Sequence, residues 1–369
     1  MNSVKSILMS GYYGFDNSGD DAILKAIIKD IKESNNNIDI VVLSNNPEKT
    51  NKMYDVKAVN RFKFKEVFKS IKETSLLISG GGSLLQDVTS TRSLFYYLAI
   101  MTLAKIFKKP VMVYANGIGP INKNINRFLT KLILNKVDLI TLRDEDSRQY
   151  LEGMKVKNKN IVVTADPVFT LEPVSNHRVM EILENENIPL NERYIGFSIR
   201  KWKDDENLID IVSKTIGFII SKYNTKVILI PMHYPEDLDI SLNILGRVKN
   251  KDCFVLKDKY TVEEIMGIIK MLDLIVAMRL HSLIYAATQE VPIVGLSYDP
   301  KVEGILNSLG MTHMCHVDNL KYDDLIKNID FVWERKEELM ASLREQDKEL
   351  KEKALSNVKM ALDLLEIGD

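Results

Sequence analysis

The sequence of 369 residues contains only two cysteines, and Cys253 and Cys315 form neither a CxxC pair nor a Cys–His cluster. Isolated thiols of this kind are typical of a reducing compartment rather than of a disulfide framework. No run of about 18 consecutive apolar residues occurs, as a membrane-spanning helix would require. The first five residues also lack the apolar core of a signal peptide. We therefore expect a cytoplasmic protein.

An excess of charge of one sign is missing as well. Lysine and arginine number 50 and aspartate and glutamate 51, so the formal net charge is −1. This balance gives no reason to expect a nucleic-acid partner. No spacing of histidine, aspartate and glutamate suggests a metal site, and no GxSxG elbow or Cys–His pairing suggests covalent hydrolysis. We expect neither a metal nor a cofactor.

Short apolar runs alternate with helical patterns along the whole chain. Continuous apolar strands are buried on both faces, which is typical of a parallel sheet whose strands are joined by crossover helices. The length fits two domains. The sequence therefore predicts an α/β fold with two parallel sheets and an active site in the cleft between two domains. The predicted strands are residues 6–9, 40–43, 76–79, 111–114, 139–142 and 161–163, then 194–199, 227–230, 254–256, 274–277 and 292–295.

A polar segment at residues 171–193, which contains Pro173 and Pro189, is interpreted as a linker with a short helix. We expect an N-terminal Rossmann-like domain at residues 1–175 and a C-terminal one at 190–335. Residues 336–369 are predicted to be a long helix that crosses back between the domains. A coiled-coil partner site is the alternative for this helix, but its leucine spacing is too irregular for strict heptads.

Two glycine-rich loops follow predicted strands. Residues 11–19 (GYYGFDNSG) lie between a strand and a helix, and residues 80–87 (GGGSLLQD) follow the third strand. Glycine lets the backbone approach a ligand, and ligands of open α/β sheets bind at the carboxyl ends of the strands. The first loop is neither GxGxxG nor GxxxxGKS, so it is not a dinucleotide or P-loop motif. A tight strand–helix turn is the alternative. Asp20 and Asp21 stand where a helix cap belongs, and capping alone would explain one of them.

Cationic or titratable side chains recur where predicted strands end. One such residue would be ordinary, and a solvated helix start is the alternative explanation for Arg143 taken alone. Five of them at equivalent positions in the second half favour a site for an anion. Besides Arg143 in the first half, these residues are Arg200, His233, Arg279, His281 and Lys301.

These motifs in combination resemble the polysaccharide pyruvyl transferases, most closely their bacterial CsaB type. The resemblance covers roughly residues 5 to 310, and Asp16 stands where a glycine is usual in that family. The residues that carry it are 10–20, 80–87, 117–120 (GIGP), 143–144 (RD), 165–167 (ADP) and 279–282 (RLHS).

The resemblance implies two Rossmann-like domains arranged as in GT-B glycosyltransferases. It implies phosphoenolpyruvate as donor and N-acetylmannosamine on a lipid-diphosphate carrier as acceptor. The product would be a cyclic 4,6-pyruvate ketal on a secondary cell-wall polysaccharide that anchors the S-layer, with release of phosphate. In this family an Arg, a His and a Lys hold or act on phosphoenolpyruvate, and the matching positions are Arg143, His281 and Lys301.

We assign His281 as the catalytic proton donor because histidine titrates near neutrality, with His233 in reserve. Phosphoenolpyruvate is predicted to bind Arg143, Arg279 and Lys301, with Arg200 a weaker candidate. The N-terminal domain is predicted to hold the acceptor because its loops offer backbone donors and amide or carboxylate side chains. The predicted acceptor residues are Tyr13, Gly14, Asn17, Asp20, Gly81, Gly82, Gln86 and Asp87.

Two other classes of protein share these features. A GT-B glycosyltransferase or sugar-nucleotide epimerase would need a carboxylate that grips ribose, for which Glu263 and Glu264 are the candidates. A non-catalytic sugar-binding or scaffold protein would be expected to lose the cationic set, and here the set is intact. A lipid-linked acceptor predicts peripheral contact with the inner face of the membrane. Residues 105–109 (KIFKK) could supply it, although a solvated helix end is the more ordinary explanation of that run.

Overall fold

The computed structural model describes residues 5–88, 90–203 and 205–367, so the chain ends at 1–4 and 368–369 lie outside it. The chain divides into two units, and each unit contains one parallel sheet. The first unit comprises the residues up to Thr170 together with those from Leu350 onwards, and the second comprises Leu171–Glu349.

The first unit has a seven-stranded sheet in the order β3-β2-β1-β4-β5-β6-β7, in which every pair is parallel. Ile7 in the middle strand pairs with Ile40 on one side and with Leu76 on the other. The strands are β1 (Ser6–Ser10), β2 (Asp39–Ser44), β3 (Lys57–Asn60), β4 (Leu76–Gly80), β5 (Val111–Asn116), β6 (Leu139–Leu142) and β7 (Ile161–Val163). The helices are α1 (Ser18–Ser34), α2 (Pro47–Tyr54), α3 (Phe64–Glu73), α4 (Thr91–Ile106), α5 (Asn124–Leu134) and α6 (Glu145–Gly153).

The second unit repeats this plan with a six-stranded parallel sheet in the order β10-β9-β8-β11-β12-β13. Its strands are β8 (Tyr194–Ser198), β9 (Lys226–Leu229), β10 (Cys253–Val255), β11 (Leu272–Ala277), β12 (Ile293–Ser297) and β13 (Met314–His316). Its helices are α7 (Asn176–Asn185), α8 (Asp205–Tyr223), α9 (Glu236–Val248), α10 (Val262–Lys270), α11 (Leu280–Thr288), α12 (Pro300–Ser308) and α13 (Tyr322–Glu334). The last helix, α14 (Lys336–Ile367), begins in the second unit, and its residues from Leu350 onwards belong to the first.

The predicted α/β fold with two Rossmann-like parallel sheets is confirmed. The strand order reverses between β1 and β4 in the first sheet and between β8 and β11 in the second. In open α/β sheets, ligands bind outside the carboxyl ends of the strands at such a reversal. Both glycine-rich loops and the predicted cationic residues follow strands at these edges.

Helices α3, α4 and α5 cover the same face of the first sheet. Val67 of α3, Met101 of α4 and Leu134 of α5 belong to one buried cluster with the strand residues Leu77 and Val113. The opposite sides of these three helices therefore face away from the core. Among the described helices, none combines the length and the apolar character that a bilayer-spanning segment needs.

Candidate active site

The glycine-rich loops of the first unit are tied together at the carboxyl edge of the sheet. The Tyr13 hydroxyl donates to the Gly80 carbonyl at 2.6 Å, which joins the loop after β1 to the last residue of β4. The Gly117 N–H donates to the Gly82 carbonyl at 3.0 Å and joins the loop after β5. Gly81 and Gly82 have φ angles of +110° and +49°, which side chains rarely tolerate. These glycines are therefore required by the turn itself.

Asp20 points at the glycine turn and is not a helix cap. Helix α1 begins at Ser18, before Asp20 and Asp21, and its cap is Asn17, whose side chain accepts the Gly19 N–H at 3.1 Å. The Asp20 side chain is thereby left for another role. A Cβ atom added at Gly82 would lie 3.0 Å from Asp20 Oδ1, so this carboxyl packs directly against the backbone of the turn.

The pKa of Asp20 is raised to about 7. Burial is the main cause, the negative charges of Asp21 and Asp166 raise the pKa further, and the positive charge of Arg143 opposes them. A carboxyl that titrates near neutrality can exchange a proton with a substrate, and such groups cluster at active sites. Asp20 is therefore a candidate general base or acid at this edge.

Arg143 follows β6 and is held by several partners in the same unit. Its Nη1 lies 3.1 Å from Asp166 Oδ2, its Nη2 donates to Ser83 Oγ at 3.2 Å, and its side chain is only 6% exposed. Its Nε also lies 3.5 Å from Asp144 Oδ2. A side chain at Gly117 would come within 2.9 Å of the guanidinium, so this glycine makes room for it. The arginine is fixed in place by its surroundings.

Several predicted acceptor residues also have structural tasks in this unit. Tyr13 is fully buried with its hydroxyl bonded, and Asn17 caps α1. A Cβ at Gly14 would lie 2.3 Å from Ser44 Oγ, so close packing explains this glycine. Asp87 accepts from the backbone N–H groups of residues 122 and 123 and from the Asn126 side chain, and these hydrogen bonds lower its pKa. Their role toward the acceptor stays a prediction, as does that of Asp20, Gly81, Gly82 and Gln86.

In the second unit, Arg279 is committed to a buried carboxylate. Its Nε donates to Asp237 Oδ2 at 2.9 Å and its Nη2 donates to Oδ1 at 2.5 Å. Asp237 is fully buried and also accepts the backbone N–H groups of Met232 and His233. This ion pair occupies Nε and Nη2 of Arg279, whose role toward phosphoenolpyruvate stays a prediction. The pair also connects the loop after β9 to the start of α11, directly before His281.

Arg200 has the opposite environment. It follows β8, and its guanidinium lies over the rings of Tyr298 at 4.6 Å and Trp202 at 5.9 Å. Its Nε is buried and, within the described residues, has no hydrogen-bond partner. No ion pair to a carboxylate is formed by Arg200 in that part of the chain. Arg200, predicted as the weaker candidate, is therefore suited to binding an anion.

Three other predicted residues follow strands at the carboxyl edge of the second sheet. They are His281, His233 and Lys301. His281 is the second residue of α11 and is partly buried, with its ring 6.2 Å from that of Tyr285. His233 follows β9, and its Nε2 lies 3.4 Å from Glu236 Oε2. Lys301 is near the start of α12, where its N–H donates to Asp299 Oδ1 at 2.9 Å.

Arg61 is a further cation of the first unit that the sequence pattern did not predict, and it follows β3 at the carboxyl edge of the sheet. It is 5% exposed, donates to the Gly11 carbonyl at 2.9 Å and lies 4.3 Å from the Tyr96 ring centre. Arg61 therefore stabilises the loop after β1 through its hydrogen bond to Gly11. The rule that picked out Arg143, a cation directly after a strand, would also have found Arg61 had β3 been predicted.

One carboxylate proposed for a nucleotide-sugar enzyme is already occupied. Glu264 forms a capping box with Thr261 and an ion pair with Arg178 at 2.8 Å. It therefore has little capacity left to grip a ribose. The described residues also contain no group of three or more histidine, cysteine, aspartate or glutamate side chains that could hold a metal ion.

Solved structures with the same fold are GT-B-like glycosyltransferases and epimerases. HepE of Anabaena, solved in complex with UDP-glucose, is 11% identical with a TM-score of 0.66, covering 98% of this chain and 99% of that one. The UDP-GlcNAc 2-epimerase of Neisseria meningitidis is 13% identical with a TM-score of 0.64, covering 98% and 100%. At these identities the likeness concerns the fold alone.

The family is defined by sequence. The model of the polysaccharide pyruvyl transferase family matches residues 17–300, so the chain belongs to this family, as the motifs predicted. The amylovoran biosynthesis protein AmsJ of Erwinia amylovora is similar along its length, with 22% identity over 412 residues that covers 95% of this chain and 98% of that protein. The protein is therefore a transferase of polysaccharide biosynthesis. The CsaB type stays a prediction.

Proposed function

We propose that this enzyme transfers the enolpyruvyl group of phosphoenolpyruvate to N-acetylmannosamine of a lipid-linked cell-wall polysaccharide, forms a cyclic 4,6-pyruvate ketal and releases phosphate. The environment of Arg200 is the observation that supports this choice of donor. An arginine held over two aromatic rings, with no carboxylate to balance it among the described residues, is suited to an anionic ligand. Phosphoenolpyruvate supplies both a carboxylate and a phosphate.

The donor is proposed to contact Arg200, Lys301 and Arg143. An arginine can bind an oxyanion through two parallel N–H groups, whereas a lysine acts as a point charge. Arg143 has carboxylates at Nε and Nη1, but its Nη2 is bonded to the neutral Ser83 hydroxyl at 3.2 Å. That bond is the one a donor oxygen would replace. Arg279, which is paired with Asp237, is proposed to position the start of α11.

The chemistry requires one proton donor and one proton acceptor. His281 is proposed to protonate the methylene carbon of phosphoenolpyruvate, which makes the adjacent carbon electrophilic. One sugar hydroxyl attacks this carbon and gives its proton to Asp20. Phosphate then leaves with its bonding electrons, and the second hydroxyl closes the six-membered ketal as it loses its own proton. The two hydroxyl groups together release two protons. One restores the proton that His281 gave to the methylene carbon, and the other leaves with phosphate.

Phosphate release tests the reaction directly. The protein is mixed with phosphoenolpyruvate and a synthetic β-N-acetylmannosaminide, and the expected result is release of phosphate that depends on the acceptor. Thermal shifts measured with phosphoenolpyruvate and with UDP-sugars distinguish this enzyme from one that uses sugar nucleotides. Stabilisation by UDP-sugars, combined with no effect of phosphoenolpyruvate, would contradict the proposed donor. A panel of glycosides then identifies the acceptor sugar.

Replacing Arg200 with alanine is expected to raise the KM for phosphoenolpyruvate about tenfold or more while kcat changes less, because one charged hydrogen-bonding group is lost. Arg143→Ala and Lys301→Ala are expected to act in the same direction. Arg193→Ala is a matched control, because Arg193 also lies over an aromatic ring but is paired with Asp273. An unchanged KM in Arg200→Ala, or an equal rise in the control, would remove Arg200 from the donor site.

A further inference from the structure

One surface of the first unit is both basic and apolar. Residues 88–137 contain eight lysines and arginines and no aspartate or glutamate. In the whole chain the two classes are balanced, with 50 lysines and arginines and 51 aspartates and glutamates. This segment includes α4 and α5, which cover the same face of the sheet as α3. A local excess of one charge in an otherwise balanced chain points to a partner of opposite charge.

Large apolar side chains are exposed on these same helices. Phe64 at the start of α3 is 81% exposed, and Phe128 in the middle of α5 is 60% exposed. The ring of Phe68 on α3 lies 4.8 Å from that of Phe107 after α4, so the apolar surface continues from one helix to the next. We refer to these exposed residues as the α3–α5 face. They are Phe62, Phe64, Phe68, Phe95, Ile106, Ile125, Phe128 and Leu132.

Most lysines around the α3–α5 face are not neutralised by the protein. Three lysines are paired: the Nζ of Lys63 lies 3.1 Å from Glu66 Oε1, that of Lys69 lies 3.9 Å from Glu73 Oε1, and that of Lys105 lies 2.7 Å from Asp138 Oδ2. Within the described residues, no ion pair involves the lysines at six other positions. These are Lys65, Lys72, Lys108, Lys109, Lys131 and Lys136.

We propose that the α3–α5 face docks the enzyme onto an anionic lipid bilayer. Exposed phenylalanines bury in the boundary between headgroups and acyl chains, while lysines beside them meet anionic headgroups. The alternation of large apolar and basic residues, as in residues 62–69 (FKFKEVFK), suits this interface. A protein partner would need acidic groups placed to match lysines on three helices, whereas a bilayer supplies mobile anionic groups everywhere. The inference does not depend on the proposed chemistry.

Vesicle flotation of the full chain, without substrates, tests the proposal. The protein is expected to float with vesicles of phosphatidylcholine and phosphatidylglycerol, to float poorly with phosphatidylcholine alone, and to be released by salt. The double variant Phe64→Ser/Phe128→Ser is expected to lower the bound-to-free ratio about tenfold or more. Leu242→Ser is the matched control, because Leu242 is an exposed leucine on α9 in the second unit.

The charge contribution is tested separately with Lys108→Gln/Lys131→Gln, which replaces two surface lysines with polar side chains and is not expected to perturb folding. It should weaken binding at low salt and make the remaining binding less sensitive to salt. Unchanged activity on a soluble glycoside shows that each variant is folded. The proposal would be overturned if the protein bound neutral vesicles equally well, or if neither variant changed binding. It would also be overturned if the protein bound no vesicles but formed a dimer in solution that the phenylalanine variant dissociated. That outcome would assign the face to a second copy of the chain.

Discussion

Replacing His281 with alanine is expected to lower kcat about 100-fold or more, the usual scale for loss of a general acid. His281 lies at the start of α11, where Arg279 and Asp237 fix the preceding residues through their ion pair. Because its proposed task is proton transfer and not anion binding, the KM for phosphoenolpyruvate should change less than kcat. The measurement is initial-rate phosphate release at saturating donor and acceptor.

His177→Ala is the control for this experiment, because His177 is a highly exposed histidine on α7 and is paired with Glu181. It should leave kcat unchanged. Near-normal turnover in His281→Ala would exclude His281 as the proton donor, and the same measurement on His233→Ala would then test the reserve candidate. Loss of donor binding without loss of kcat would instead make His281 a binding residue.

The parallel sheets could be predicted from the sequence because their strands are continuous apolar runs. Residues 6–9 and 76–79 were expected as strands and form the middle of the first sheet. The cap of α1 is harder to identify, because Asn17 and two acidic residues after it all suit a helix terminus. In the structure the Asn17 side chain accepts the Gly19 N–H and is the cap.

The candidate site was predicted only in part. Sequence position identifies which residues follow strands, but it does not reveal how their charges are neutralised. Arg279 and Arg200 look alike in the sequence, yet Arg279 is paired with Asp237, 42 residues away, while Arg200 lies over Tyr298. Such long-range partners decide which cation can bind a ligand. For the same reason, the raised pKa of Asp20 depends on burial and on Asp166, neither of which the sequence pattern reports.

Replacing Asp20 with asparagine is expected to lower turnover about 100-fold or more, because the amide fills the same space but cannot accept the proton of the sugar hydroxyl. In the native enzyme the pKa of Asp20 is about 7, so the ionised base forms as the pH rises through neutrality. Plots of kcat/KM against pH should therefore show an acidic limb near pH 7. This limb should disappear in Asp20→Asn, whereas a merely structural residue would leave it in place.

Stability provides a second measurement for Asp20 with a definite sign. Its pKa lies near 3.8 in the unfolded chain and near 7 in the fold, so between these values the folded protein retains a proton that the unfolded chain has released. The free energy of unfolding should consequently fall as the pH rises from about 4 to about 7. Asp20→Asn should flatten this dependence, as measured by urea unfolding at a series of pH values.

Asp30→Asn is the matched control for both measurements. Asp30 lies on the same helix, and burial raises its pKa to about 6, but it is bonded to Thr170 and is not at the glycine turn. Its replacement should change the pH dependence of stability and leave kcat and the acidic limb intact. If Asp30→Asn lowered turnover as much as Asp20→Asn, the loss of turnover would be caused by removal of a buried carboxyl group in general and not by loss of a base at the glycine turn. A normal acidic limb in Asp20→Asn would assign the base to another group, and Asp20 would then be an acceptor contact only.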